Sequence, residues 1–363
     1  MTEPFVDVVI ACHDSSRPLD RAVRSVLHDA EVRDAVRVTV VAHGLPADVL
    51  QERVDGIAGA IRVVEHTDGI RSAAGPFNHG LSLATGEYAA VMGSDDFLEP
   101  GALAAWIAAA RTRRPDMAIA PIRIDGQTRM PNPLVRLGRR HDLDAAKDRL
   151  FYRTAPLGLI RTDTMRRMGL RMTEGVRVGE DMVFSIRLFA HADRVDFLAD
   201  APAYVIGVDA AERTTLAPMD LEDDLAAVVK LLDDGLPATL SPAHRRALAV
   251  KLIRVSVLGK VRSRPSTGHW RDDAEVVFAA DLLRRLLALA PGAIRPFNRQ
   301  DRAVMEGLLT APTVDRVTAD VIRADRAGRA RRWFTPDLLH SFDRDSTLRR
   351  YVLYLLKRER KTA

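Results

Sequence analysis

One cysteine, Cys12, stands among 363 residues. A lone thiol excludes an internal disulfide and points to a reducing compartment. Nowhere does the chain reach the ~18 uninterrupted apolar residues that a bilayer-crossing helix needs, and no signal-peptide pattern precedes Asp7. The expected location is therefore the cytoplasm. No internal repeat and no low-complexity tract is visible. Near the N-terminus there is no glycine-rich loop carrying Lys or Arg to cradle phosphates. No nucleic-acid-binding module is recognisable either, so nucleic acid is not an expected partner.

The composition that remains, 47% hydrophobic and 28% charged, is that of a soluble globular protein. The length suggests two units, or one large domain with an appendage. A formal net charge of +5 biases the chain towards polyanions, phosphate-bearing substrates included. Most of the arginines nevertheless read as solvated surface.

The first hundred residues alternate in period. Val6 to Cys12 is a short apolar run with β-branched residues and predicts a buried strand, and Leu19, Val23, Val26 and Leu27 recur at helical spacing behind Pro18. The pattern repeats with a strand over 36–42, a helix from Pro46, a strand over 61–65, a helix through Leu83 and a strand over 88–92. Strict β/α alternation predicts an α/β fold with a mostly parallel sheet and helices on both faces. Ligands in such sheets bind beyond the carboxyl ends of the strands. His13-Asp14, His43-Gly44, the loop after Glu65 and Ser94-Asp95-Asp96 all fall at such ends. One more strand is expected over 117–124, followed by a mobile, proline-rich loop over 125–133. Beyond Asp220 the segments 221–232, 244–258, 274–289, 299–309 and 314–326 all read as helices. The expected division is therefore 1–215 for the α/β domain and 216–363 for a helical C-terminal domain.

Two acidic doublets carry the chemistry. The apolar run ending at Met92-Gly93 stops at Ser94-Asp95-Asp96. Mg2+ keeps one or two protein carboxylates and completes its shell with phosphate and water, so this turn suffices for a metal if a diphosphate supplies the rest. An Asp there also suits the cap of the helix that follows Pro100-Gly101. On this segment alone the two readings stand level. The second doublet, Glu180-Asp181, follows Gly179 and opens an amphipathic helix. The helix macrodipole favours acids at that place, while Gly179 allows close approach of a substrate.

The order of these blocks resembles the inverting glycosyltransferases of family 2 with the GT-A fold, over roughly residues 4 to 210. The residues that carry the resemblance are Arg21 to Leu27, then Gly75-Pro76-Phe77-Asn78-His79-Gly80-Leu81, Ala84-Thr85-Gly86-Glu87-Tyr88, Gly93-Ser94-Asp95-Asp96, and Gly179-Glu180-Asp181 before Phe184. The resemblance implies that Asp95 and Asp96 contact a divalent metal (Mg or Mn) and the diphosphate of a nucleoside diphosphate sugar, with Asp181 as catalytic base. Glu180 becomes an acceptor-binding neighbour. His13, Asp14, His43, Arg71, Asn78 and Ser94 join Asp95 as donor-binding candidates. A sugar hydroxyl is a weak nucleophile at neutral pH, so a carboxylate that takes its proton is chemically apt. The leaving diphosphate gathers charge that a cation stabilises, and one base with in-line displacement implies inversion.

Departures from the family pattern are specific. Ala11-Cys12-His13-Asp14 replaces a Pro-x-Tyr-Asn-like segment, and Ala42-His43-Gly44-Leu45 replaces base-reading acids. Gly93 replaces the usual acid before Ser94. Where the family often carries a basic group for the leaving diphosphate, Val205 to Asp209 has none, and Arg213 is the nearest substitute. These departures keep open a non-catalytic glycan-binding or scaffolding protein of the same fold. A nucleotidyltransferase is the rival enzyme reading.

The C-terminal end couples Tyr351, Leu353, Tyr354 and Leu355 to Lys357-Arg358-Glu359-Arg360-Lys361. A basic amphipathic helix with aromatics suits the anionic inner face of a membrane. That would fit a glycan, glycopolymer or lipid-linked acceptor. A terminal helix packed on the domain with a solvated basic end is the plainer alternative.

Overall fold

The computed structural model describes residues 3–209, 219–268 and 270–358. Eleven strands are found in that range: β1 (Val6–Cys12), β2 (Val36–His43), β3 (Ala60–His66), β4 (Tyr88–Gly93), β5 (Phe97–Leu98), β6 (Met117–Ile119), β7 (Ile122–Ile124), β8 (Arg129–Met130), β9 (Gly158–Arg161), β10 (Val195–Phe197) and β11 (Tyr204–Ile206). Seven of them form one sheet in the order β10-β6-β9-β4-β1-β2-β3, and four form a small second sheet, β5-β11-β7-β8. In the large sheet β1 pairs parallel with both β2 and β4, whereas β9 is antiparallel to both its neighbours. The expected α/β class and mostly parallel sheet are thus present.

Alternation along the strands sorts their side chains between two cores. Val6, Val8, Ile10 and Cys12 of β1 join Val38, Val40, Ala90 and Met92 on one face, under the helices Leu19–Val26, Ala47–Val54 and Ala102–Arg113. Val9, Val41, Ala89 and Val91 face the other way. That second core runs on without interruption through Phe184 and Leu188 of helix Met182–His191, Leu225 and Val228 of helix Leu221–Asp233, and Val321 of helix Val314–Asp325.

Two readings of the sequence need correction. The single strand expected over 117–124 is broken at Ala120-Pro121, and its halves, β6 and β7, lie in different sheets. Proline donates no ladder hydrogen bond, so a break at Pro121 has a simple cause. The stretch expected as a mobile loop, 125–133, contains β8, which pairs back on β7 through Ile122 with Met130 and Arg123 with Arg129. The boundary expected at residues 215 and 216, and the tail from Glu359 to Lys361, lie outside the described residues.

The strand order reverses between β4 and β1, with β2 on the far side of β1. In open α/β sheets the crevice forms at such a reversal, outside the carboxyl ends of the flanking strands. The loops after β1 and β4 therefore border the place where a ligand would lie.

Candidate active site

The acidic turn after β4 joins the two sheets. It leaves β4 at Gly93 and enters β5, which pairs antiparallel with β11 through Phe97 with Val205 and Leu98 with Tyr204. Asp96 bends towards β11: its Oδ2 accepts from the Tyr204 hydroxyl at 2.5 Å and its Oδ1 from the Gly207 N–H at 2.9 Å. The Gly93 N–H donates to the same tyrosine oxygen at 3.1 Å. Burial first, and then the charge of Asp96, hold the Tyr204 phenol well above its ordinary range, so it stays a neutral donor. Asp95 takes another partner. Its Oδ1 meets Arg17 Nη1 at 2.9 Å, and its carbonyl oxygen accepts from Arg21 Nη2 at 2.6 Å. Ser94 is buried beside Cys12.

The glycines show why this turn tolerates so little bulk. A Cβ on Gly93 would lie 2.7 Å from Asp96 Oδ2 and 3.1 Å from Asp95 Oδ1, and one on Gly207 would collide with the carbonyl of Asp95. An acid at position 93 would thus displace the two carboxylates that follow it. Neither Asp caps the next helix, whose N-cap is Gly101, with no side-chain capping bond. Two carboxylate oxygens converge over Gly93, a donor type that suits a hard divalent cation completed by phosphate oxygens, but the Tyr204 hydroxyl already occupies one and Arg17 the other. Among the described residues no group of three or more His, Cys, Asp or Glu side chains is arranged to hold a metal ion.

The ends of β2 and β3 bring together a histidine cluster. His43 Nε2 lies 2.8 Å from Asp68 Oδ1, and His66 Nε2 lies 3.2 Å from Asp68 Oδ2. The His66 ring stacks on His79 at 5.2 Å. Burial alone would raise the Asp68 carboxyl, but hydrogen bonds from His43, the Ile70 N–H and His66 outweigh it and hold the group at about 2. His13 is exposed, and its imidazole is lowered by partial desolvation and then by the Arg17 charge. Asp14 accepts from the Ser16 N–H at 2.8 Å and so closes its own loop. Asn78 is buried and its amide is spent on Met172 N–H at 2.8 Å, Met172 carbonyl at 3.0 Å and Glu174 at 2.9 Å. It therefore braces the segment leading to Glu180. Arg71 is exposed in the loop before helix Ala74–Ser82. Arg213 lies outside the described residues.

Asp181 sits at the N-cap position of helix Met182–His191 but accepts no capping bond from it. Its surroundings contain two cations that its sequence neighbourhood does not reveal. Lys251, 2% exposed, comes from the end of helix Pro242–Lys251 and sets its Nζ 3.5 Å from Met182 Sδ. The helix there widens into a π-type turn over Leu252–Val257 before continuing as Leu258–Thr267, a distortion often found at functional positions. Arg153, also 2% exposed, donates from Nη2 to the carbonyls of Ala120 and Leu157, at 3.0 and 3.4 Å, and its Nε and Nη1 are buried without a hydrogen-bond partner among the described residues. Desolvation raises the Asp181 carboxyl, against the opposing charges of Lys251 and Arg153. Desolvation lowers Lys251 to about 8 against the pull of Asp181, and lowers Arg153 to about 10 against Tyr204 and Asp181. Arg153 thus lies within electrostatic reach of both the tyrosine of the acidic turn and the second acidic doublet.

Glu180 is pushed up to about 7, first by burial and then by the charge of Asp181. Between its ordinary value near 4.5 and 7 the native chain keeps a proton that the unfolded chain has lost, so stability falls as pH rises through that window. Glu180→Gln should accordingly raise stability by about 2 kcal/mol above pH 7, a part of the full shift because the side chain is not wholly buried. The gain should vanish near pH 4.5. Urea midpoints of both proteins at pH 5 and pH 8 read this directly, and equal differences at the two pH values would refute it.

Comparisons with known proteins agree with this frame. Residues 7–169 match the model of glycosyl transferase family 2. A poly(ribitol-phosphate) beta-glucosyltransferase of Bacillus spizizenii is 18% identical over 253 residues, 69% of this chain and 39% of the relative. The poly(ribitol-phosphate) beta-N-acetylglucosaminyltransferase TarP of Staphylococcus aureus is 20% identical over 203 residues, 55% of this chain and 62% of that one. The chain therefore spans less than two thirds of the length of these relatives. The crystal structure of S. aureus TarS 1–349 with UDP-GlcNAc superimposes with a TM-score of 0.72 at 17% identity, covering 88% of this chain and 91% of that one. That likeness shows a shared fold of the GT-A type.

Proposed function

We propose that this chain, whose residues 7–169 carry a family 2 glycosyltransferase domain, moves a sugar from a nucleoside diphosphate to a hydroxyl of a phosphate-bearing glycopolymer. The observation that carries the reading is the pairing of two acidic doublets: Asp95 and Asp96 at the carboxyl end of β4, bordering the crevice, and Asp181 at a helix start beside two buried cations. In this reading Asp181 takes the proton of the acceptor hydroxyl, Arg153 and Lys251 favour its ionised form, and Glu180 flanks the acceptor. The leaving diphosphate lies over the acidic turn. A divalent cation, when bound, would be held by Asp95 and Asp96 and would neutralise charge on the leaving group.

Donor recognition falls to the strand-end loops. Ser94 and Asp95 lie under the diphosphate, His13 and Asp14 border it, His43 with Asp68 faces the nucleoside, and Arg71 reaches from the rim. Asn78 serves by bracing residues 172 to 174. The relatives named above act on poly(ribitol-phosphate), which makes a polyol-phosphate polymer the acceptor to test first. Residues 1–215 then form the transferase domain, and the helical part, 216–363, contributes Lys251. A cytoplasmic setting belongs to the same proposal. No helix among the described residues is long and apolar enough to cross a membrane. Helix Thr347–Lys357 contains no acid and exposes Tyr351, Val352, Leu355 and Leu356, a surface suited to an anionic lipid face.

Melting curves with a panel of nucleoside diphosphate sugars, UDP-GlcNAc among them, test the reading. A true donor at 100 times its Kd should stabilise the chain by about 2.7 kcal/mol and pass its sugar to a poly(ribitol-phosphate) acceptor. If no nucleoside diphosphate shifts the melt, the transferase reading fails and a scaffolding role gains ground.

A further inference from the structure

We propose that Arg17 is a resident cation of the diphosphate subsite, so that a nucleoside diphosphate binds this chain without a divalent metal. The inference rests on the donor site described above and goes beyond it. Its first support is location. Arg17 belongs to the loop after β1 and Asp95 to the turn after β4, and these strands flank the reversal of strand order. The 2.9 Å ion pair between them therefore bridges the mouth of the crevice. Only 12% of the Arg17 side chain and 15% of the Asp95 side chain are exposed, so the pair is well shielded and its charges are felt locally.

The second support is a charge count. With Gly93 in place of an acid, the turn carries two carboxylates, Asp95 and Asp96. Both oxygens of Asp96 already accept hydrogen bonds, from the Tyr204 hydroxyl and the Gly207 N–H. The oxygen of Asp95 that faces Asp96 across Gly93 accepts from Arg17. Affinity for a hard divalent cation follows the number and charge of its ligands, and here one ligand charge is offset by a guanidinium. A diphosphate approaching the turn therefore meets a guanidinium that belongs to the chain and that a chelator does not remove.

The third support is that the loop is built to deliver this side chain. Arg53 donates to the backbone carbonyls of Ser15 and Arg17 and to Asp20, and the Asp14 carbonyl accepts from the Arg17 N–H at 3.2 Å. Arg21, in the first turn of helix Leu19–Val26, grips the Asp95 carbonyl and both carboxylate oxygens of Asp209, the latter at 2.7 and 2.9 Å. Both arginines are thus aimed at one aspartate, Arg17 from the loop at its carboxylate and Arg21 from the helix at its carbonyl. A guanidinium suits this task because its planar fork matches phosphate oxygens in pairs. On donor binding Arg17 exchanges or shares its carboxylate partner with a diphosphate oxygen pair.

Calorimetric titration of UDP into the full chain, in excess EDTA and separately in Mg2+, tests this with wild type, Arg17→Met and Arg17→Lys. Chelation should change the wild-type Kd by less than about threefold. Arg17→Met should weaken binding in EDTA by about tenfold or more and make the remaining affinity metal-dependent, while Arg17→Lys, a point charge without the fork, should fall between. A melting curve of each variant confirms folding; should Arg17→Met melt early, the comparison rests on Arg17→Lys and Arg17→Gln. Loss of wild-type binding in EDTA alone, or Arg17→Met binding like wild type in EDTA, overturns the inference and leaves the donor site standing. Absence of binding in both conditions overturns the donor site as well.

Discussion

Asp181→Asn is expected to lower the rate of sugar transfer by about 10²- to 10⁴-fold, the usual worth of a positioned proton acceptor. The substitution keeps the shape of the side chain and removes its ability to take a proton. Donor affinity should change little, because the acidic turn at Asp95 and Asp96 is held by Arg17, Tyr204 and Gly207 and not by Asp181. Thermal stability should hold or rise, since a carboxylate whose ionisation is opposed by burial is replaced by a neutral amide. Single-turnover transfer, UDP calorimetry and a melting curve on the same preparation check the three statements. Unchanged turnover would remove Asp181 as the base.

Lys251→Met is expected to slow transfer by about tenfold or more at neutral pH and to move the acidic limb of the pH–rate profile upward. Methionine fills the same buried space beside Met182 but carries no charge. Asp181 then retains only Arg153 to oppose its desolvation, and an opposite charge at close range is worth roughly one to three pK units to a carboxylate. The sign follows: with one opposing charge gone, desolvation raises the Asp181 carboxyl further, so the base is protonated over a wider pH range in the variant than in wild type. Lys251→Arg should restore most of the profile. The change should appear in kcat and leave KM for the donor alone, because Lys251 reaches the reaction through Asp181. A profile that keeps its shape would reduce Lys251 to a packing role.

The α/β half was legible because its physics is local. The buried runs of β1, β2 and β4 are continuous and β-branched, each is followed by a helix-period segment, and the observed strands end within a residue or two of expectation. Where the reading missed, a nonlocal partner was decisive. The run from Met117 to Ile124 looked like one strand, yet Pro121 was visible in it and its two halves pair with strands some 75 or more residues away, β10 and β11. The acidic doublets stood out as charges ending apolar segments. Their supports did not: Tyr204 reads as one more strand residue until β11 brings it to Asp96. Arg17, in the loop before Pro18, gave no such signal. Lys251 had one, a lone ammonium inside the run Ala247-Leu248-Ala249-Val250-Lys251-Leu252-Ile253, where only a buried countercharge makes a lysine tolerable.

The pairing of β5 with β11 sets an order of assembly. Among the described residues the strand partners of Leu98 and Phe97 are Tyr204 and Val205, and the Asp96 carboxylate takes hydrogen bonds from Tyr204 and Gly207. A nascent chain that has emerged as far as residue 200 can lay down β1 to β4 and bring Arg17 and Arg21 to Asp95, but Asp96 still lacks Tyr204 and Gly207. The donor site is thus completed late, after the last strand closes the small sheet and Tyr204 reaches Asp96. Fragments ending before β11 would keep the sheet's core and lose the site.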